Sequence, residues 1–310
     1  MSSHPRDATR GALAQLDRAT VWLNSVPLTA HALRGRVVLV DFWTYSCVNW
    51  LRTLPYVSAW AERYGERGFV VVGAHAPEFG FEHDLEGVRR ATAELGVGYP
   101  VVIDNDFAIW RSFGNNAWPA VYLVDQQGRV RFRHLGEEAY EETERAVQQL
   151  LGVDEELVDV EAAGLSEPAD WLALRSPETY VGRARGERRV DAPADGLTLN
   201  RWTLAGDWTV GEESAVLEAP GGSIAYRFEG RDLNLVLTPP ASGDAAGFAV
   251  RLDGRPPGDD HGLDVDASGE GAVDEPRMYQ LVRRRGPTRQ WTVEITFRDA
   301  GLAAYVFTFG

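Results

Sequence analysis

The stretch Arg36–Tyr56 reads RVVLVDFWTYSCVNWLRTLPY, and the fold turns on it. Val37 to Trp43 is apolar except for Asp41, the pattern of a strand buried on both faces inside a parallel sheet. A short polar turn leads to Cys47, after which Val48, Leu51, Leu54 and Val57 recur at helical spacing. The spacing predicts a strand, a turn, and a helix that opens at the cysteine and runs to about Tyr64, with Pro55 as an internal kink. Cys47 is the one cysteine of the 310 residues, so an intrachain disulfide is excluded. At a helix N-terminus the dipole and the unpaired backbone N–H groups favour a thiolate, which makes Cys47 a candidate nucleophile or redox thiol. A buried structural cysteine is the alternative.

Working outward, Val21–Leu23 is a short strand before the central one, and FVVVG at Phe69–Gly73 is the next buried strand. A helix follows from about His83 to Leu95, then a strand at Tyr99–Ile103. Asp104-Asn105-Asp106 caps a short helix at Phe107–Phe113 that Gly114 ends. Strands at Val121–Val124 and Val130–His134 and a helix from Glu137 to Leu151 complete an α/β unit with a central mixed sheet flanked by helices. From about Leu172 the period changes to two. Ser223–Phe228, Leu233–Leu237, Trp291–Phe297 and Tyr305–Phe309 alternate between turn clusters, as in an all-β sandwich. The expected organisation is a leader at 1–19, an α/β domain at 20–152, an acidic linker at 153–171 and a β-sandwich at 172–310.

The net charge of −15 argues against nucleic acid and against anionic membrane surfaces as partners. Residues 136–170 carry twelve acidic side chains and one arginine, read as a solvated helix face and linker. Lysine is absent, which removes Schiff-base chemistry. The first twenty residues lack the apolar core of a signal peptide, and no run of eighteen apolar residues occurs, so the expected location is cytoplasmic. No phosphate loop, zinc-ligand cluster or G-x-S-x-G is present, and no cofactor is expected.

VVLVDFWTYSCVNW resembles the active-site stretch of thioredoxins, with an acid six positions and an aromatic four positions before the cysteine. WTYSC, the earlier WLNS and the later PEF and WPA segments are closer to the TlpA-like and DipZ-like branch. The family motif is C-x-x-C, and here Trp50 stands where the resolving cysteine would be. The resemblance implies a thioredoxin-like fold and a redox role for Cys47. It implies that Asp41 is a buried acid, either a general base near Cys47 or a remnant held by hydrogen bonds. Pro119 matches the family's cis-proline facing the thiol, and Trp118 would line a substrate groove with Trp43, Tyr45 and Trp50; core packing is the other reading of these aromatics.

With one thiol, Cys47 would form a mixed disulfide that a low-molecular-weight thiol or a partner-protein thiol must resolve. A one-cysteine thiol peroxidase is the alternative enzyme, because Thr44 lies three residues before Cys47 as in peroxiredoxins, although their upstream proline is Val40 here. A binding module without chemistry is the third reading. The segments SPETY at 176–180, LDG at 252–254 and the closing AAYVFTFG resemble the β domain of DipZ-type proteins, which looks like a carbohydrate-binding jelly roll. A carbohydrate or other ligand is therefore the partner expected there. Trp171, Trp202, Trp208 and Trp291 are read as mostly core, with a sugar platform as the sharper alternative. Asp259, Asp260, Asp264 and Asp266 form an acidic loop, read as solvated rather than calcium-binding. His75 ends a strand and is either structural or close enough to perturb the thiol.

Overall fold

The computed structural model describes residues 11–310, which form two compact units, residues 11–166 and 167–310. Of the expected leader, residues 1–10 lie outside the described residues. The rest is not a detached leader: Ala12–Arg18 is a 3-10 helix whose Leu13 and Leu16 are buried in the first unit's core.

The first unit contains strands β1 (Trp22–Leu23), β2 (Val37–Trp43), β3 (Phe69–His75), β4 (Val101–Ile103), β5 (Ala120–Val124) and β6 (Val130–Leu135). Its helices are α1 (Val48–Tyr64), α2 (Leu85–Glu94), α3 (Ala108–Phe113) and α4 (Tyr140–Leu151). The sheet order is β1-β4-β3-β2-β5-β6, with β2, β3 and β4 parallel and the β2–β5, β5–β6 and β1–β4 pairs antiparallel. All seven residues of β2 are buried, as its apolar run requires of the central strand. Val38, Val40 and Phe42 face a cluster that includes Trp110 and Phe113. The alternate residues Asp41 and Trp43 face α1, where Trp50 meets both.

Helix α1 spans the expected residues and passes through Pro55 without ending. Leu51, Leu54, Val57, Trp60 and Tyr64 are buried along it at helical spacing. Helix α4 begins at Tyr140 rather than Glu137, because Glu138 and Ala139 take left-handed conformations. Glu137 instead points back to α1 as a buried ion pair with Arg52, 2.9 Å apart.

Glu144 on α4 fastens this layer. Its carboxylate accepts from Trp60 Nε1 (3.1 Å), Tyr64 Oη (2.6 Å) and the backbone N–H of Val158 (3.0 Å). Residues 153–166, expected as a solvated linker, are thus held against the first unit. Glu155 pairs with Arg63 and Arg67 at the end of α1, and a turn at Gly164–Ser166 lies along the same helix. Glu144→Ala strands two fully buried donors and the Val158 amide, so it is expected to lower the unfolding free energy by about 3 kcal/mol. Urea denaturation checks this, and a loss below about 1 kcal/mol would show that Glu144 is dispensable.

The second unit is a sandwich of two antiparallel sheets. Its strands are β7 (Thr179–Tyr180), β8 (Trp202–Ala205), β9 (Trp208–Val210), β10 (Ala215–Leu217), β11 (Ser223–Glu229) and β12 (Asp232–Thr238). They continue with β13 (Ala246–Leu252), β14 (Glu270–Val273), β15 (Arg277–Arg283), β16 (Gln290–Phe297) and β17 (Ala303–Phe309). One sheet runs β15-β12-β17-β10-β9 with β7 added to β17, the other β14-β13-β16-β11-β8. Leu233, Leu235 and Leu237 of the first sheet and Phe248, Val293, Ile295 and Phe297 of the second share one apolar core. Arg231 and Arg283 close on the fully buried Asp232 and on Glu167, which ties the start of this unit to its sheet.

Candidate active site

Strand order decides what meets the cysteine. β2 and β3 are parallel and β5 runs against β2, so the Thr44–Cys47 turn, the loop after His75 and the Trp118–Pro119 step that enters β5 collect at one end of the sheet. Cys47 is the N-cap of α1. Its backbone N–H donates to the Thr44 carbonyl (3.3 Å), and its carbonyl accepts from Leu51 N–H (3.0 Å). The residue is only 9% exposed, so little of it meets solvent directly. The helix dipole and the first-turn N–H groups at this end of α1 favour negative charge on the thiol.

Beneath the turn lies Asp41, fully buried. Its Oδ2 accepts from Trp50 Nε1 and from Tyr99 Oη, both at 3.0 Å, while Oδ1 has no partner. Burial raises its pKa to about 6, against the opposing pull of the Trp50 and Tyr99 donors. Burial, and after it the charge and hydrogen bond of Asp41, push the Tyr99 hydroxyl well above its ordinary range. Trp50 stacks on Trp43 with ring centroids 4.1 Å apart. Gly73, paired with Asp41 in the sheet, makes this packing possible: a Cβ there would stand 2.9 Å from both Trp43 Nε1 and the Tyr99 ring. The residue at the resolving position thus occupies the buried acid itself, in place of a second thiol.

A second buried carboxylate reaches the turn from the other side. Glu82, on the 3-10 helix Gly80–His83, is fully enclosed. Its Oε1 accepts from Ser46 Oγ (2.6 Å) and Ser46 N–H (3.4 Å), and its Oε2 from the N–H groups of Glu78 (2.6 Å) and Phe79 (3.0 Å). Burial raises its pKa to about 7, opposed by the Ser46 and Thr44 hydroxyls. His75 is also fully buried, edge-on to Trp43 and stacked on Tyr45, with neither ring nitrogen hydrogen-bonded. Burial lowers its pKa to about 3, so it is a neutral packing element.

The structure therefore gathers Asp41, Thr44, Tyr45, Cys47, Trp50 and the Trp118–Pro119 step into one end of the first unit, and it narrows their roles. Trp118–Pro119 is a cis peptide bond. Trp118 is half-buried, its Nε1 donating to the Ala76 carbonyl (2.9 Å). The groove expected from four aromatics is not formed by all of them: Trp43 and Trp50 have no exposed surface and Tyr45 very little, because they pack around Asp41 and His75. Thr44 is likewise fully buried. Glu82 and Tyr99 were not legible as site residues. An acid between Phe81 and His83 in a loop that must bury aromatics was the available signal for Glu82.

In the second unit the sugar platform is not assembled. Trp202 is core, Trp208 packs edge-on against Phe297, and Trp291 is covered by Arg284 and Arg289 at 4.0 and 3.3 Å; Trp171 is exposed. The acidic loop is largely spoken for, with Asp260 on Arg284, Asp264 on Arg277 and Asp266 capping its own turn. Among the described residues no group of three or more His, Cys, Asp or Glu is placed to hold a metal ion, and no helix is long and apolar enough to cross a membrane.

Comparison with known families agrees with this architecture unit by unit. Residues 11–151 match the Redoxin family, and residues 176–310 match the family described as Thioredoxin like C-terminal domain. The chain is a thioredoxin-like protein. Among its thioredoxin-like relatives, Protein DipZ of Mycobacterium bovis is 33% identical over 263 residues, covering 79% of this chain and 37% of DipZ. The chain thus spans little more than a third of that relative's length. Thiol-disulfide oxidoreductase YkuV of Bacillus subtilis is 25% identical over 146 residues, 47% of this chain and 98% of YkuV. A solved thioredoxin-like protein in its oxidized form is similar at 27% identity and a TM-score of 0.40, covering 44% of this chain and 92% of that one. The first unit belongs to the Redoxin family, and one of its relatives bears the name of a thiol-disulfide oxidoreductase.

Proposed function

We propose that the first unit exchanges thiols and disulfides through Cys47 alone, with an external thiol doing what a resolving cysteine does elsewhere. The observation that carries this reading is Trp50. Its indole fills the resolving position and is bonded to Asp41, so no second thiol can reach a mixed disulfide from within the chain. The Cys47 thiolate attacks one sulfur of a disulfide R–S–S–R′. A Cys47–S–S–R bond forms as the S–S bond of the substrate breaks, and R′S⁻ leaves and takes a proton from solvent. A second thiol then attacks the Cys47 disulfide, releases the reduced cysteine and carries the R group away. The near-complete burial of Cys47 favours slender disulfides or an extended segment of a partner protein. A reducing, cytoplasmic setting, rich in small thiols, is the one in which such a cycle turns over.

Native protein incubated with oxidised glutathione is expected to gain one glutathione per chain in its intact mass. The adduct is absent in Cys47→Ser and removed by added thiol. No adduct on folded protein, with normal labelling after denaturation, would leave the fold as a binding scaffold. Hydrogen peroxide given to the same preparation separates the peroxidase alternative: rapid Cys47-dependent peroxide consumption would displace thiol exchange as the primary reaction.

A further inference from the structure

We propose that Glu82 is a positioning residue for Cys47, acting through Ser46: its carboxylate takes both Ser46 donors and so holds the turn that presents the thiol. The proposal rests on Cys47 being the reactive group.

The backbone closes the Thr44–Cys47 turn only weakly. Its closing bond from Cys47 N–H to the Thr44 carbonyl is long at 3.3 Å, whereas Ser46 Oγ meets Glu82 Oε1 at 2.6 Å. The other oxygen of Glu82 binds the N–H groups of Glu78 and Phe79, so this one side chain straps the loop after β3 to the turn before the thiol. All four partners donate, and none is a cation. That is a cradle for an anion: a protonated Glu82 carries a donor of its own and must surrender one of the four bonds. The groups that face it are Glu78 on its own loop, whose charge opposes ionisation, and the Ser46 and Thr44 hydroxyls on the β2–α1 turn, which favour it. His75 of β3, packed on Tyr45, is held neutral by burial and adds no charge. Burial brings the Glu82 ionisation to about 7, so the strap changes state within the working range of a thiol enzyme.

Glu82→Gln imitates the protonated form, with one acceptor oxygen and one donor group. The test is the rate of Cys47 alkylation by iodoacetamide, measured from pH 5.5 to 8.5 in folded wild type, Glu82→Gln and Ser46→Ala, with circular dichroism at each pH. A misplacement of order 1 Å at a reacting group can cost roughly 10²-fold. The ratio of wild-type to Glu82→Gln rates is accordingly expected to rise about tenfold from the acid to the alkaline end, with its midpoint near 7. Ser46→Ala, which removes only the hydroxyl donor, should give a smaller rise that falls back toward the alkaline end as its own Glu82 ionises, and it keeps the test decisive if Glu82→Gln does not fold. A ratio independent of pH in both variants overturns the positioning role while leaving Cys47 as the reactive thiol. Wild-type protein that fails to label at any pH while folded overturns both readings.

Discussion

Trp50→Ala is expected to cost the first unit about 5 kcal/mol of unfolding free energy at pH 8, a large part of what a domain of this size holds in reserve. Three losses combine. A fully buried tryptophan leaves a cavity, which alone costs roughly 3–5 kcal/mol. The stacked pair with Trp43 disappears, about 1 kcal/mol more. Asp41 is left with Tyr99 as its one donor, so its charged form becomes costlier still. The last loss applies only when Asp41 is ionised, and that gives the prediction a signature. Trp50→Phe keeps an aromatic ring in the cavity but not the N–H. It should therefore be roughly 1–2 kcal/mol more destabilising at pH 8 than at pH 4. Urea denaturation followed by tryptophan fluorescence at the two pH values measures this. Equal losses for Trp50→Phe at both would mean that the indole fills space and does nothing for the acid.

The second large effect belongs to the acid itself. Asp41 titrates near 3.8 when unfolded and at about 6 in the folded chain, because burial penalises its charge. Between those values the folded chain holds a proton that the unfolded chain has released. The stability tied to this group is complete below the unfolded pKa and is lost as pH rises through the folded one. Asp41→Asn keeps the acceptor for Trp50 and Tyr99 and imitates the protonated acid, with its amide in place of the unpartnered Oδ1. The variant should match wild type near pH 4 and exceed it by about 3 kcal/mol at pH 8, the equivalent of a two-unit shift. A stability difference that does not change between pH 4 and pH 8 would place the pKa of Asp41 at its ordinary value. The gain would also show that the acid is retained at a cost in stability.

These two predictions mark where local pattern stops being informative. β2 and α1 fall on the expected residues because a continuous apolar run and a helical apolar stripe are strong signals, and neither depends on what they pack against. The second sheet system was only partly legible. β11, β12, β16 and β17 show alternating residues. β13 and β15, although their inner faces are just as apolar, were missed because the arginine-, glycine- and acid-rich turns around them dilute the period. The start of α4 was misplaced by three residues, since nothing local announces that Glu138 and Ala139 turn left-handed so that Glu137 can meet Arg52.

Two units, one α/β and one all-β, and a lone cysteine opening a helix after the central strand are legible from composition and period over a few turns of chain. That tryptophan takes the resolving position is legible only through the resemblance to the thioredoxin motif. Tertiary structure decided what Trp50 does, that Tyr99 shares Asp41 with it, and that Glu82 reaches Ser46. Those partners lie 9, 58 and 36 residues apart. Each meeting follows from strand order, from the missing side chain of Gly73, and from the need of every buried carboxylate to find donors where the fold happens to supply them.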